Sequence, residues 1–268
     1  MNTSNFENAP FSRFFRNVYS QNGEDGVVLE ILNRIGWQNL STWVVEFGAW
    51  DGRHLSNTFS LVESKNFSAV YIEGDSKKFS DLELTAISFP KIKPICTMIS
   101  DDFSDLNSLD NTLSQTEIPS DFDVLSIDVD SIDLDIWESL KNYRPKVVII
   151  EINSGIMPGI LSRHNNLNDG NSFSSSLLVA EKKGYVLVCH TGNCIFVRSD
   201  LIALLRIPPR YIDYPELLFR YEEMWMANKV SILRLIARRV LPFKIKYVFT
   251  RSLALIRESM LKSRSKST

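Results

Sequence analysis

Trp43-Val44-Val45-Glu46-Phe47-Gly48-Ala49-Trp50-Asp51-Gly52 is the stretch on which the fold turns. Its first half is an apolar, β-branched run of strand length. Its second half sets two glycines and an acid where a strand should hand over to a helix. A run this apolar on both faces reads as a buried parallel strand. Four more such runs follow, Ala69–Glu73, Ile95–Ile99, Val124–Asp128 and Lys146–Ile152, roughly 20–30 residues apart. Helix-like segments separate them, so the connections are right-handed crossovers and the sheet is doubly wound and mostly parallel. Two later runs, Tyr185–His190 and Cys194–Arg198, are joined by the tight turn Thr191-Gly192-Asn193 and pair as an antiparallel hairpin.

Helix starts are marked as well. Asp75 or Ser76 caps the helix after the second strand, Ser104 or Asp105 the one after the third, and Ser131 or Asp133 the one running through Trp137 and Leu140. Pro145 ends that last helix. The polar stretch Asn165–Ser176 reads as a long loop above the sheet, where loops often carry function.

The 268 residues suit one α/β domain with an appendage. With 44 % hydrophobic and 23 % charged residues the chain is globular rather than disordered. Three cysteines, Cys96, Cys189 and Cys194, show no zinc spacing and fit a reducing compartment. The N-terminus lacks the apolar core of a signal peptide, and no run is long enough to span a bilayer. These features place the chain in the cytoplasm.

The net charge of −2 hides an asymmetry. Residues 229–268 carry +10 and residues 1–228 carry −12. The expected division is therefore a catalytic domain, 1–228, and a basic amphipathic helical tail, 229–268. Such a tail suits either the anionic inner face of a membrane, touched peripherally, or a protein partner. The acidic body speaks against a nucleic-acid substrate, which wants a basic groove.

The chemistry-bearing residues fall at strand ends, where open α/β sheets bind ligands. Gly48 allows close backbone approach, while Glu46 and Asp51 suit the cationic parts of a ligand. There is no GxGxxG and no lysine-bearing P-loop. Glu73 ends the second strand, the place from which a carboxylate accepts bonds from a ribose diol. Asp101 and Asp102 close the third strand and could reach an adenine amino group. Asp128 ends the fourth strand; Glu151 and Asn153 end the fifth and point the same way by alternation. Three roles stay open for Asp128, Glu151 and Asn153: ligating a hard divalent cation through oxygen, metal-free catalysis or binding, with one carboxylate as base or Asp128 on the cofactor, or capping and loop structure. His164, in the loop after the fifth strand, is a further candidate base, with solvation as its plain alternative. His54 follows the first glycine loop. Before the first strand, Ser20-Gln21-Asn22-Gly23-Glu24-Asp25 starts a helix with more polar groups than a cap needs.

Five stretches in order resemble the FkbM-like S-adenosylmethionine (SAM)-dependent methyltransferases. They are Ser20–Asp25, Val45–Gly52, Tyr71–Gly74, Leu125–Asp130 and Ile149–Asn153. A parallel sheet closed by a late antiparallel hairpin is also the pattern of class I methyltransferases. The resemblance implies that Rossmann-like fold, SAM as cofactor, and O-methylation of a sugar, glycan or small-molecule hydroxyl. It puts Glu46, Gly48 and Asp51 in the SAM-binding loop, Glu73 on the ribose, and Gln21 and Glu24 near the cofactor. The family often has glycine after Asp128-Val129-Asp130, where this chain has Ser131; a turn needing positive φ there would make serine costly. A sugar hydroxyl is a weak nucleophile and needs a base, for which Asp128, His164 and Glu151 are the candidates, or a metal. Two rival readings share the fold: a nicotinamide-dependent oxidoreductase, disfavoured by the missing GxGxxG, and a non-enzymatic assembly protein with a vestigial methyltransferase fold.

Overall fold

The computed structural model describes residues 9–129, 131–165 and 170–220. Seven strands form one sheet: β1 Trp43–Phe47, β2 Ser68–Glu73, β3 Ile92–Cys96, β4 Val124–Ile127, β5 Val147–Glu151, β6 Tyr185–His190 and β7 Asn193–Arg198. Their order is β3-β2-β1-β4-β5-β7-β6. β1 to β5 pair in parallel, and β7 runs antiparallel to both β5 and β6. This is the class I methyltransferase, Rossmann-like arrangement. The chain leaves β1 toward β2 and β3 and returns to place β4 on the other side of β1. The C-terminal ends of β1 and β4 therefore flank the switch point at which such sheets bind ligands.

The helices used below are α1 Glu24–Ile35, α2 Phe59–Lys65, α3 Ser76–Ser88, α4 Leu109–Ser114, α5 Asp133–Ser139 and α6 Phe173–Lys183. α1 buries Val27, Val28, Ile31, Leu32 and Ile35, one helical stripe. Central strands bury both faces: Val44 to Phe47, Val124 to Ile127 and Val147 to Ile150 are all inaccessible. That double burial is why these strands read as unbroken apolar runs.

The structure moves some boundaries. β3 lies three residues before the expected Ile95–Ile99 and contains Pro94. It is an edge strand pairing only with β2, the position in a sheet that tolerates a missing N–H. Asp101 and Asp102 consequently sit in an exposed bend beyond the strand, not at its end. There Asp102 Oδ1 accepts from Ser104 N (2.8 Å) and Ser104 Oγ (2.7 Å). Asp75 caps α3 as expected, accepting from Lys77 N and Lys78 N. Ser108, rather than Ser104 or Asp105, caps α4. α5 has Ile132 at its N-cap position, without a side-chain bond, and Asp133 is its first residue. α5 ends at Ser139, well before Pro145. Asp110 draws the following chain away by accepting from Lys141 N (2.9 Å) and Asn142 N (2.6 Å). The polar loop is also shorter than expected. Ser172 caps α6 by accepting from Ser175 N, so the serines of Asn165–Ser176 begin a helix.

Cys96 is exposed and Cys189 and Cys194 are buried, all unpaired. No helix among the described residues is long and apolar enough to cross a membrane. The basic tail, 229–268, lies outside the described residues.

Candidate active site at the ends of β1 and β4

Three carboxylates hold the long loop between β1 and α2. At its start, Glu73 at the end of β2 accepts from Trp50 N through Oε2 (2.8 Å) and from Asp75 N through Oε1 (2.8 Å). In its middle, Asp51 Oδ1 accepts from Arg53 N (2.9 Å) and His54 N (2.7 Å). At its end, Glu46 takes the donors of three consecutive residues. Its Oε2 accepts from Ser56 Oγ (2.7 Å), Thr58 N (3.2 Å) and Thr58 Oγ1, and its Oε1 from Asn57 N (3.1 Å). Glu46 is thus the buried clamp that shapes the loop, with both oxygens occupied by protein donors. Burial raises its pKa to about 7 against the pull of these hydrogen bonds, and the charge of Asp128 pushes the same way. Glu73 is buried as well, with one backbone donor on each oxygen, and Asp51 is half-buried, nearer the surface of the site.

Gly48 decides how closely the two strand ends approach. Its φ is +75°, and a Cβ there would lie 1.8 Å from the carbonyl oxygen of Asp128. Only glycine fits. Asp128 and Val129 open the loop after β4, which Asp133 pins by accepting from Val129 N through Oδ1 (2.8 Å) and Ser131 N through Oδ2 (2.9 Å). Ser131 is not among the described residues with positive φ, so serine meets no backbone strain at this turn. Asp130 lies outside the described residues.

The loop after β5 is drawn to the β4 loop by Asn171, which no local sequence signal marks. Asn171 is buried. Its Oδ1 accepts from His164 N (3.1 Å), its Nδ2 donates to Ser131 O (3.1 Å), and its backbone oxygen accepts from Asn153 N (2.8 Å). One residue therefore ties three segments together: its side chain joins the His164 segment to the acidic loop, and its backbone oxygen holds the chain after β5. Arg163 anchors the same segment to α5 through Asp135 (2.6 Å) and Glu138. His164 Nδ1 accepts from Gly170 N in a long bond of 3.4 Å, which leaves Nε2 to carry the proton of the neutral ring.

The N-terminal polar element folds over the same end of the sheet. Glu24 is fully buried. It accepts from Thr191 Oγ1 (2.6 Å) and Asn193 Nδ2 (3.3 Å) in the β6–β7 turn, and from Asn22 N (2.8 Å). Asn193 is the register partner of Glu151, so Glu24, Asn193 and Glu151 share one corner. Gln21 is exposed, and its backbone oxygen accepts from Asn17 Nδ2 (2.7 Å). Asp25 closes the element: its Oδ2 accepts from the backbone of Val18, Tyr19 and Ser20 and from Ser20 Oγ at 2.7–2.9 Å. Tyr19 then packs edge to face on Phe59 at the start of α2, 4.7 Å between centroids. The polar residues before α1 therefore build a buried junction between the β1 loop and the hairpin.

Among the described residues no three His, Cys, Asp or Glu side chains group to hold an ion. Asp128 and Asn153 are linked through Asn171 and the Ser131 loop, as above, and Asn153 Oδ1 accepts from Gly155 N (2.9 Å).

The sequence matches no protein-family model and no curated protein. Among solved structures it is similar to M. capricolum TrmK bound to S-adenosyl-homocysteine: 16 % identity over 85 % of this chain and 95 % of that one, TM-score 0.43. It is similar also to the CurJ carbon methyltransferase, with 10 % identity over 71 % of this chain and 61 % of that one, TM-score 0.44. The N-terminal domain of EvdMO1 with S-adenosyl-homocysteine bound shows 9 % identity over 70 % and 82 %, TM-score 0.39. At these scores the likenesses carry no weight for activity, and the class of fold rests on the strand order itself.

Proposed function

We propose that the protein is a SAM-dependent methyltransferase of the FkbM-like kind, acting on a hydroxyl of a sugar, glycan or related small molecule. The observation that carries this reading is the meeting of the β1 and β4 ends at Gly48, with Glu73 holding the loop beside them. It supplies a glycine cradle at the switch point, rimmed by carboxylates and without a phosphate-binding glycine motif. Such a rim suits a ligand with a ribose diol and fixed positive charge. The residues fit SAM. Glu73 would take the ribose and Asp51 the cationic portion, while Glu46 shapes the loop that carries them. When bound, SAM supplies an electrophilic methyl group on a sulfonium sulfur.

The chain's own residues then have separable tasks. Asp128 takes the proton of the acceptor hydroxyl, and His164 donates from Nε2 to a neighbouring acceptor oxygen. Asn171 keeps those two loops in register, since alignment of the reacting groups is worth several kcal/mol in such transfers. Glu151 and Glu24 line the corner toward the β6–β7 turn.

Calorimetric titration of the full chain with SAM tests the reading, beside Asp51→Ala and Glu73→Ala. Micromolar binding, weakened at least about tenfold in each variant, is the expected result. A folded wild-type protein that binds no SAM would reject it and leave a vestigial fold in its place.

A further inference from the structure

The loop after β1 carries a second feature that the switch point does not use. Trp50 and Leu55 hold positive φ, 44° and 59°. Bulky residues adopt that conformation only where the surroundings impose it. One result is that Trp50 stays 43 % exposed. It borders a cleft of about 510 Å³ walled by Asp51, Arg53 and His54 on the loop and by Asp81 and Leu84 on α3. The volume is that of a small-molecule site.

Arg53 is the unusual group in this cleft. Its guanidinium lies 5.3 Å from the ring centroid of Phe59 and 5.0 Å from that of Phe89, and the two rings meet edge to face. Its Nε is buried with no hydrogen-bond partner among the described residues. None of the ion pairs among them involves it. Asp51 is two residues away but turns Oδ1 to the backbone N–H groups of Arg53 and His54. The aromatic rings thus fix the guanidinium without satisfying its donors. An arginine held this way is a planar fork pre-organised for an oxyanion. Lys78 adds a second cation at the edge, its Nζ 5.1 Å from the Trp50 ring centroid. The Trp50 ring brings an apolar surface, and exposed Asp81 brings acceptors for hydroxyl groups.

We propose that this cleft binds an acidic saccharide, with its carboxylate or phosphate on Arg53, hydroxyls at Asp81 and a C–H face on Trp50. The proposal deepens the methyltransferase reading and rests on it for the ligand's role: the cleft is a docking subsite for the acidic part of the acceptor.

The test follows the Trp50 indole N–H resonance of the 15N-labelled full chain, assigned with Trp50→Phe. Glucuronate, glucose 6-phosphate and glucose are titrated separately. At least one of the two acids should move the resonance saturably in the millimolar range, and glucose should not. A response to one acid alone identifies carboxylate or phosphate as the group recognised. Arg53→Lys keeps the charge, loses the fork and should weaken the responding acid at least tenfold. Because Arg53 packs against the rings of Phe59 and Phe89, Leu84→Glu on the exposed rim is the second variant. It sets a negative charge at the cleft and should weaken binding by a similar factor. No response to either acid, an equal response to glucose, or unchanged affinity in a folded variant overturns the proposal. SAM titrated into the same samples separates the two readings. SAM binding without an acid-sugar response rejects the cleft alone, and the reverse pattern rejects methyl transfer.

Discussion

Gly48 and the carbonyl oxygen of Asp128 are packed so closely that a Cβ on residue 48 would stand 1.8 Å from that oxygen. The contact joins the ends of β1 and β4, and the obstacle is backbone, which cannot swing aside as a side chain would. Gly48→Ala therefore meets two costs. The positive φ alone costs about 1–2 kcal/mol for a residue with a Cβ, and the collision adds to it by forcing the loops apart. Chemical denaturation should show a loss of more than about 2 kcal/mol, and calorimetry a loss of SAM affinity. A variant as stable as the parent would show that the two loops do not meet as described.

Glu46 and His190 set opposite pH dependences. Burial raises Glu46 from an ordinary 4.5 to about 7, so between those values the folded state holds more protons than the unfolded chain. Stability then falls as pH rises through that window and levels off above it. Burial lowers His190 from 6.5 to about 3, with the positive charge of Arg220 adding to the effect. Its ring is neutral in the folded protein: Nδ1 accepts from Arg220 N (2.9 Å), Nε2 faces Ser154 Oγ (3.0 Å), and Phe219 stacks on it at 4.7 Å. Here the unfolded chain holds more protons below pH 6.5, so stability is lost as pH falls from there toward 3.

Between pH 4.5 and 6.5 the two slopes oppose each other, each by up to about 1.4 kcal/mol per pH unit. Wild type should be nearly flat across this interval. Glu46→Gln should leave a stability that rises with pH, and His190→Phe one that falls. Urea midpoints measured at several pH values check the signs. Parallel profiles for all three proteins would refute the assignment.

Asn171 should matter to catalysis more than to cofactor binding, because it joins the His164 segment to the Ser131 loop and touches neither Glu73 nor Asp51. Asn171→Asp replaces the donor facing Ser131 O with a carboxylate oxygen. The expected loss of stability is about 1–3 kcal/mol, with SAM affinity kept within about threefold and amide exchange at His164 and Gly170 clearly faster. Unchanged exchange at those amides would remove Asn171 from the positioning role.

Much of this architecture was legible in the chain. Six of the seven strands fall within a residue or two of where the apolar runs place them, since buried parallel strands need continuous β-branched sequence. β3 starts three residues before the apolar run Ile95–Ile99 and includes Pro94, and only the sheet order reveals that it sits on an edge, where a missing N–H is tolerated. Gly48, Asp51 and Glu73 stand out in the sequence as strand-end residues, and the structure places them at or after the ends of β1 and β2. Asp101 and Asp102 lie in an exposed bend beyond β3, because that strand ends at Cys96. Asn171 lies in a plain polar stretch, and Asp25 in an element marked only by its surplus of polar groups: nothing local says that one amide will face two loops, or that one carboxylate oxygen will gather three successive N–H groups.

The sequence by itself determined the alternation of strands and helices, the late reversed hairpin and the acids at the strand ends. These are properties of short segments, written in their periodicity and their breakers. Only the tertiary structure decided which of those acids serve as clamps and which stand open, because a carboxylate's role depends on donors that arrive from far along the chain. Glu46 is engaged by residues 56–58, and Glu24 by Thr191 and Asn193. The unsatisfied fork of Arg53 likewise exists only once Phe59 and Phe89 close on it.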